Sequence, residues 1–361
     1  MLLRPAPQML FDLFVHVVDN FGDVGVGWRL AADIAARGPR VRLWVDDPAP
    51  LAWMAPEGAP GVEWLRWSEP LPKREPGDVV IEAFGCDLPA PFVADMRRPT
   101  PPLWINLEHL SAEPYVERSH ALPSPQQAGP GVGLTKWFLY PGFTTRTAGL
   151  IREPGLLGAR TAFDRAAWLA SQGLRPTSDE RVVSLFCYPN EQLGALLAVL
   201  AREPTLLLAT PGHAARQVRE LLGPAMARAR LRAVELPYLS QPGFDRLLWA
   251  CDVNLVRGED SFVRAQWAGT PFLWQAYPQS DAVHARKLDA FLDRFLDGCD
   301  AVLARGLRQC FARYNGLGTG PIDHWPDRLA WTAHTRRWTR HLASQQDLTS
   351  HLLEFVAAKR Q

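Results

Sequence analysis

Cysteine is scarce in this chain, and its five occurrences, Cys86, Cys187, Cys251, Cys299 and Cys310, form no Cys-x-x-Cys pair. An odd, scattered set argues against a disulfide framework and fits reduced thiols in a cytoplasm. Charge of one sign is equally lacking: 39 basic residues face 38 acidic ones, for a net charge of +1. That balance gives no case for a nucleic-acid stripe or a membrane-surface patch. No apolar run is long enough to span a bilayer, and Met1 to Leu10 has no apolar core of signal-peptide length. Asp-x-Asp is absent, which removes the usual acidic metal clamp for a diphosphate. Also absent are His-Glu-x-x-His, a nucleophile elbow and a phosphate-binding Gly-x-x-x-x-Gly-Lys-Ser/Thr. There is no short internal repeat and no low-complexity tail.

What is present suffices for two domains. The chain has 361 residues, 47% of them hydrophobic, enough to bury two cores. Fourteen tryptophans and 32 prolines point to a rigid, loop-rich surface with several aromatic contacts. The first third alternates strand and helix patterns: strands over residues 11–18, 41–45, 78–83 and 103–107, and an amphipathic helix over 28–37. Residues 111–146, rich in Pro, Gly and Ser, read as a long connecting or binding loop. A second series starts near Arg181, with strands over 182–186, 205–209, 232–236 and 253–256. Helices are expected between them over 191–201, 214–222 and 244–250. The stretch from Trp331 to Lys359 reads as largely helical. Alternation of this kind predicts an α/β fold of two Rossmann-like domains with parallel sheets. The expected division is 1–165, 166–335 and a C-terminal helical segment, 336–361, packing back towards the first domain. Ligands in such sheets sit beyond the carboxyl ends of strands, so two facing domains would form a cleft, nucleotide on one wall and acceptor on the other.

The strongest motif runs from Arg257 to Phe272, directly after the apolar Val253-Asn254-Leu255-Val256. It sets an arginine, a glycine, two acids and a serine where a helix should begin. Helix N-termini present unpaired N–H groups and a positive dipole end, so they hold anions. Glycine allows close backbone approach, and serine or aspartate can cap the helix. Acids beside such a site suit ribose hydroxyls. The plainer reading is a capped helix with a surface Arg257–Glu259 contact.

A second motif, Asp19-Asn20-Phe21-Gly22-Asp23-Val24-Gly25-Val26-Gly27, follows the first strand. Its glycines run G-x-x-G-x-G, unlike the G-x-G-x-x-G of dinucleotide folds, yet Asp46 ends the next strand, where such a fold binds ribose. An NAD(P)-dependent oxidoreductase is thus an alternative. Asp19 and Asp23 oppose it, because carboxylates in the turn would repel a pyrophosphate; they suit a cation or a hydroxyl proton. For Asp23 a simple helix cap is the competing reading. A third cluster, Leu236 to Asp245, sets Tyr238 and Phe244 around Gln241 and a Pro-Gly turn. Phe186-Cys187-Tyr188 is similar in kind. Aromatic faces stack on a base and an amide can read its edge, although loop-to-core packing would produce the same residues. His109, beside Glu108, reads as polar packing.

Five stretches go further: 18–25, 44–47, 106–113, 141–144 and 257–262. In order, and over nearly the whole chain, they resemble the protein-arginine rhamnosyltransferases that modify elongation factor P, metal-independent glycosyltransferases of the GT-B type. The resemblance implies transfer of L-rhamnose from TDP-β-L-rhamnose to one arginine of elongation factor P, with inversion at the anomeric carbon and no metal cofactor. It implies Asp19, Asp23 and Glu259 as catalytic acids, Asp23 being the base, with Asn20, Phe21 and Gly22 in the glycine-rich loop. Arg257, Asp260 and Ser261 would bind the diphosphate and ribose. Phe186, Tyr188, Tyr238, Gln241 and Phe244 would enclose the thymine, with Tyr277 against the nucleotide. Tyr238 stands where the family pattern has phenylalanine. A sugar-nucleotide-binding protein without catalysis is the non-enzyme alternative.

Overall fold

The computed structural model describes residues 8–18, 21–278 and 283–360. They fall into two compact units, 1–153 with 345–361, and 154–344.

The N-terminal unit runs β1 (Leu10–Val15), α1 (Gly22–Ala36), β2 (Arg40–Val45), α2 (Leu51–Met54), β3 (Val62–Arg66), β4 (Val79–Ala83), α3 (Ala90–Asp95), β5 (Leu103–Leu107), α4 (Pro114–Ser119), β6 (Leu122–Pro125) and β7 (Thr135–Leu139). Its sheet has the order β3-β2-β1-β4-β5-β7-β6, and β6 alone pairs antiparallel. The apolar strands are buried on both faces, as parallel sheets require. Asp12, 0% exposed in β1, is one of four buried polar exceptions among them, with Arg42, Glu82 and Asn106. Its carboxylate accepts from Arg42 Nε and Nη2, Trp44 Nε1 and the Gly77 N–H at 2.6–2.8 Å, so the buried charge is fully paired. One glycine of the G-x-x-G-x-G run has a packing role. A Cβ on Gly27 would sit 2.6 Å from Val15 Cγ2, so only glycine lets α1 lie this close to β1.

The C-terminal unit runs α5 (Leu156–Thr161), α6 (Arg165–Ser171), β8 (Arg181–Leu185), α7 (Leu193–Leu200), β9 (Thr205–Ala209), α8 (His213–Leu222), β10 (Ala227–Arg228), β11 (Leu231–Glu235), α9 (Gln241–Ala250), β12 (Val253–Arg257), α10 (Asp260–Ala268), β13 (Phe272–Gln275), α11 (Val283–Phe295), α12 (Ala301–Tyr314) and α13 (Arg328–Ala343). Its sheet order is β10-β11-β9-β8-β12-β13, parallel except for β10. Phe272 packs on Phe291, Phe295 and Phe311 at ring separations of 5.4–6.2 Å and anchors α11 and α12 to the last strand.

The chain then returns to the first unit as α14 (Leu348–Lys359). Asp347 caps this helix, accepting from the Ser350 N–H at 2.9 Å, and pairs with Arg37 at 2.7 Å; Arg37 also pairs with Asp33 of α1. Leu352 and Val356 join the core cluster of Val24, Ile34 and Leu43.

Several expectations need correction. Residues 111–146 are not a structureless loop: they carry α4, β6 and β7, and β7 pairs with β5 inside the sheet. Thr-Lys-Trp-Phe-Leu is only partly buried along most of its length, so no apolar run announced it. The helical stretch 331–359 is two helices broken at 344–347, and this break is where the chain changes unit. The units divide after residues 153 and 344, whereas the sequence reading divides after 165 and 335; α5 and the whole of α13 belong with the C-terminal unit.

Candidate active site

In each unit the strand order reverses direction beside its first strand: between β1 and β4 in one, between β8 and β12 in the other. Such switch points open a crevice beyond the carboxyl ends of the strands, the usual ligand position in open α/β sheets.

At the C-terminal switch point, Phe186 and Tyr188 leave β8 while Arg257 ends β12. The Arg257 guanidinium carbon lies 4.4 Å from the Phe186 ring centre and 4.2 Å from that of Tyr188, and the side chain is only 5% exposed. This is a buried cation over two aromatic rings, where the plainer reading expected one at the surface. Gly258 follows with φ +64°, a left-handed conformation that glycine adopts without penalty. Its N–H donates to the Gln275 carbonyl at 3.2 Å, and its carbonyl accepts from Trp274 Nε1 at 2.7 Å. The turn is thereby fixed, and α10 begins at once. Glu259 is its N-cap residue but makes no capping bond through its side chain, and Asp260 occupies the first turn. The Ser261 hydroxyl bonds both the N–H and the carbonyl of Arg257, so it ties helix to strand instead of capping.

Around this core part of the aromatic set comes together. Phe244 meets Phe186 edge-on at 5.7 Å, and Tyr277 meets Tyr188 at 5.4 Å. Tyr238 and Tyr277 stay about half exposed, whereas Gln241 is buried at the first position of α9. Ser240 caps α9, accepting from the Gly243 N–H at 3.2 Å. Cys187 lies between the two aromatic residues; burial pushes its thiol up to about 12, so it is a packing group and not a nucleophile.

Three supporting residues escaped the sequence reading. Asp245 of α9 and Arg264 of α10 form a buried bidentate pair at 2.6 and 2.8 Å, which ties the middles of the two helices together. Gln275, 5% exposed at the end of β13, accepts from the Tyr188 N–H at 3.0 Å and donates to the Pro189 carbonyl. A lone amide ending an apolar strand, and a buried-type spacing that includes Asp245 and Arg264, were the available signals.

The N-terminal switch point has acid where the other has cation. Asp19 and Asn20 lie outside the described residues. Phe21 is the N-cap residue of α1 and packs edge-on against Trp53 at 5.1 Å, and Gly22 opens the helix. Asp23, 6% exposed, does not cap α1: it sits within the first turn and accepts from the Val18 N–H at 2.8 Å, so it ties the chain after β1 to the start of the helix. Asp46 Oδ1 accepts from the N–H groups of Val17 and Asp47, and Oδ2 pairs with His16 at 2.7 Å. Both its oxygens are thus occupied by the chain, which speaks against the ribose role of the dinucleotide alternative. At the end of β4, Phe84 holds φ +62°, rare for an aromatic residue, with its ring stacked on His109 at 4.6 Å. Glu108 accepts from Asn106 Nδ2 at 2.7 Å.

Among the described residues no group of three or more His, Cys, Asp or Glu is placed to hold a metal ion, and no helix is long and apolar enough to cross a membrane.

Comparison with known proteins agrees with this geometry. Residues 11–357 match the model of the elongation-factor P (EF-P) rhamnosyltransferase EarP family. A protein-arginine rhamnosyltransferase of Pseudomonas aeruginosa is 42% identical over 96% of this chain and 98% of its own length. A solved structure describing EarP-mediated arginine glycosylation of translation elongation factor EF-P aligns with a TM-score of 0.65 at 29% identity, covering 97% of this chain and 99% of that one. The Streptomyces glycosyltransferase SsfS6 aligns with a TM-score of 0.53 at 13% identity, over 98% of this chain and all of its own, a likeness of fold alone. The chain belongs to the EF-P rhamnosyltransferase EarP family, glycosyltransferases of the GT-B fold.

Proposed function

We propose that this protein transfers L-rhamnose from TDP-β-L-rhamnose to one arginine side chain of elongation factor P in the cytoplasm, with inversion and without a metal, and so relieves ribosome stalling at polyproline. The observation that carries the donor half is the stacked Arg257 at the start of α10, beside an aromatic set on a topological switch point. The acceptor half rests on family membership and on the acids that follow β1.

The chemistry explains why two such different sites are needed. Guanidinium stays protonated at any physiological pH and is a poor nucleophile. Carboxylates that hydrogen-bond it can orient one nitrogen and draw positive charge away from it. Asp19 and Asp23 supply these, assisted by Glu259, and Asp23 accepts the proton as the new C–N bond forms. The same displacement breaks the bond between the anomeric carbon and the diphosphate oxygen, so configuration inverts in one step. TDP leaves with the electron pair. Arg257 and the N–H groups at the start of α10 stabilise its charge, as a metal would elsewhere, with Asp260 and Ser261 completing the diphosphate and ribose end. Phe186, Tyr188, Tyr238 and Phe244 enclose the thymine, Gln241 reads its edge and Tyr277 covers the nucleotide.

The test is intact-mass analysis of elongation factor P after incubation with this protein and TDP-rhamnose in the presence of a chelator. One added deoxyhexose on a single arginine is expected. Donor binding without any mass increase would overturn the acceptor assignment.

A further inference from the structure

The C-terminal unit carries a second concentration of cationic and aromatic side chains at the opposite edge of its sheet. β8 and β12 begin there, with Arg181 and Val253, whereas the donor-side residues follow their far ends. A cavity of about 420 Å³ opens at this edge, and Arg181, Arg202, Arg328, His324, Trp325 and Trp331 contribute to its lining. Its size falls within the range of small-molecule sites, roughly 300–1,000 Å³.

The charges in this lining are incompletely answered by the chain. Arg181 pairs with Glu203. Arg202 donates to the Asp323 carbonyl at 2.7 Å, a neutral partner that leaves its charge uncompensated. Asp327 is an acid of the lining, yet its carboxylate caps α13, accepting from the Ala330 N–H at 2.7 Å. Arg328 opens that helix, and burial, followed by the charge of Arg328, pushes the Arg181 guanidinium down. Two like charges therefore share one cavity.

The indoles make the second, independent observation. Trp331 is 1% exposed, and its Nε1–H, like that of Trp325, finds no acceptor among the described residues. Buried donors left unpaired are rare in folded proteins. Here two of them, on rings 5.8 Å apart, border the same cationic cavity.

We propose that this cavity is a binding site, separate from the donor site, for a small phosphorylated metabolite. Its phosphate oxygens would accept from Arg202 and Arg328, and its remaining body would lie against the Trp325 ring. Phosphate fits because it offers several acceptors and negative charge at once, which a neutral ligand or water does not.

Inorganic pyrophosphate is a suitable probe, read by the assigned indole N–H resonances of the full-length protein. Trp274, whose indole donates to Gly258 in the donor-side turn, reports the other site. The Trp325 and Trp331 signals should move and saturate at millimolar pyrophosphate, both in the wild type and in Arg257→Ala. They should stay still in the double variant Arg202→Ala/Arg328→Ala, where Trp274 still responds. Unmoved Trp325 and Trp331 signals in the wild type would overturn the proposal, and so would shifts that persist undiminished in the double variant.

Discussion

The two units share a strand order around their switch points but present opposite chemistry there. Beyond β8 and β12 stands one arginine on two aromatic faces, followed by a left-handed glycine and a helix start. Beyond β1 and β4 the described charged groups near the turn, Asp23 and Asp46, accept from backbone N–H groups, and an aromatic residue takes the left-handed position. The cationic turn suits the diphosphate proposed for it. The acidic turn holds its carboxylates still, as the proposed approach of a cationic acceptor requires. Topology supplies the place in both cases, and a handful of side chains decides what the place can do.

That contrast predicts which parameter each site controls. Asp23→Asn keeps the shape of the side chain and its acceptor oxygen for Val18, but cannot take a proton. Loss of a general base typically costs about 10²–10⁴-fold in rate, so kcat should fall by that amount while TDP-rhamnose affinity, measured by calorimetry, stays nearly unchanged. A parallel loss of donor affinity would remove Asp23 from the role of base.

Arg257→Ala is the converse. A hydrogen bond to a charged group contributes about 1.5–3 kcal/mol, so the donor dissociation constant should rise by roughly ten- to a hundredfold. Binding of elongation factor P, followed by pull-down without donor, should not change. Arg257→Lys should recover only part of the loss, because an ammonium neither stacks flat on Phe186 and Tyr188 nor offers a planar fork. Full recovery would mean that point charge alone matters at this position.

The two sites also differ in how readily they were read from sequence. The stretch Arg257-Gly258-Glu259-Asp260-Ser261 was legible because strand end, glycine and helix start are contiguous, so local pattern carries the geometry. The same holds for the buried apolar strands β1, β2, β4, β5, β8, β9 and β12. What was illegible depends on distant partners. Gln275 matters through Tyr188, 87 positions away, and Asp245 through Arg264 on another helix. β7 hid because its pairing with β5, not its own composition, makes it a strand. Ser261 and Asp23 were expected as possible caps because their residue types favour that position, but both helices begin two residues too early for it to be theirs. Cap position follows from tertiary placement of the turn, which no short window contains.

A smaller effect is read through pH. In the N-terminal unit His120 and His351 meet through their Nε2 atoms at 2.9 Å, and His120 Nδ1 accepts from the Tyr140 N–H. His120 therefore carries its proton on Nε2 and donates to His351, which must carry its own on Nδ1. Burial, then the neighbouring His351, pushes His120 down from 6.5 to about 4, and burial lowers His351 as well. Between pH 6.5 and about 4 the unfolded chain binds protons that the folded pair refuses, so stability falls as pH drops through that window and is fully present above it. The urea midpoint should decline across it, and His351→Gln should flatten the decline. An unchanged slope in that variant would mean the pair is not the cause.

Tyr238 tests the comparison at its finest grain. It is 52% exposed just ahead of α9. If the donor side works through aromatic faces, the hydroxyl should be dispensable and the ring should not. Tyr238→Phe is expected to leave the TDP-rhamnose dissociation constant within about twofold, whereas Tyr238→Ala forfeits a stacking contribution of about 0.5–1.5 kcal/mol. Calorimetric titration of both variants separates the possibilities. A tenfold loss in Tyr238→Phe would show that this position reads the nucleotide by hydrogen bonding, and would make the C-terminal site less purely a surface of charge and ring faces than its geometry implies.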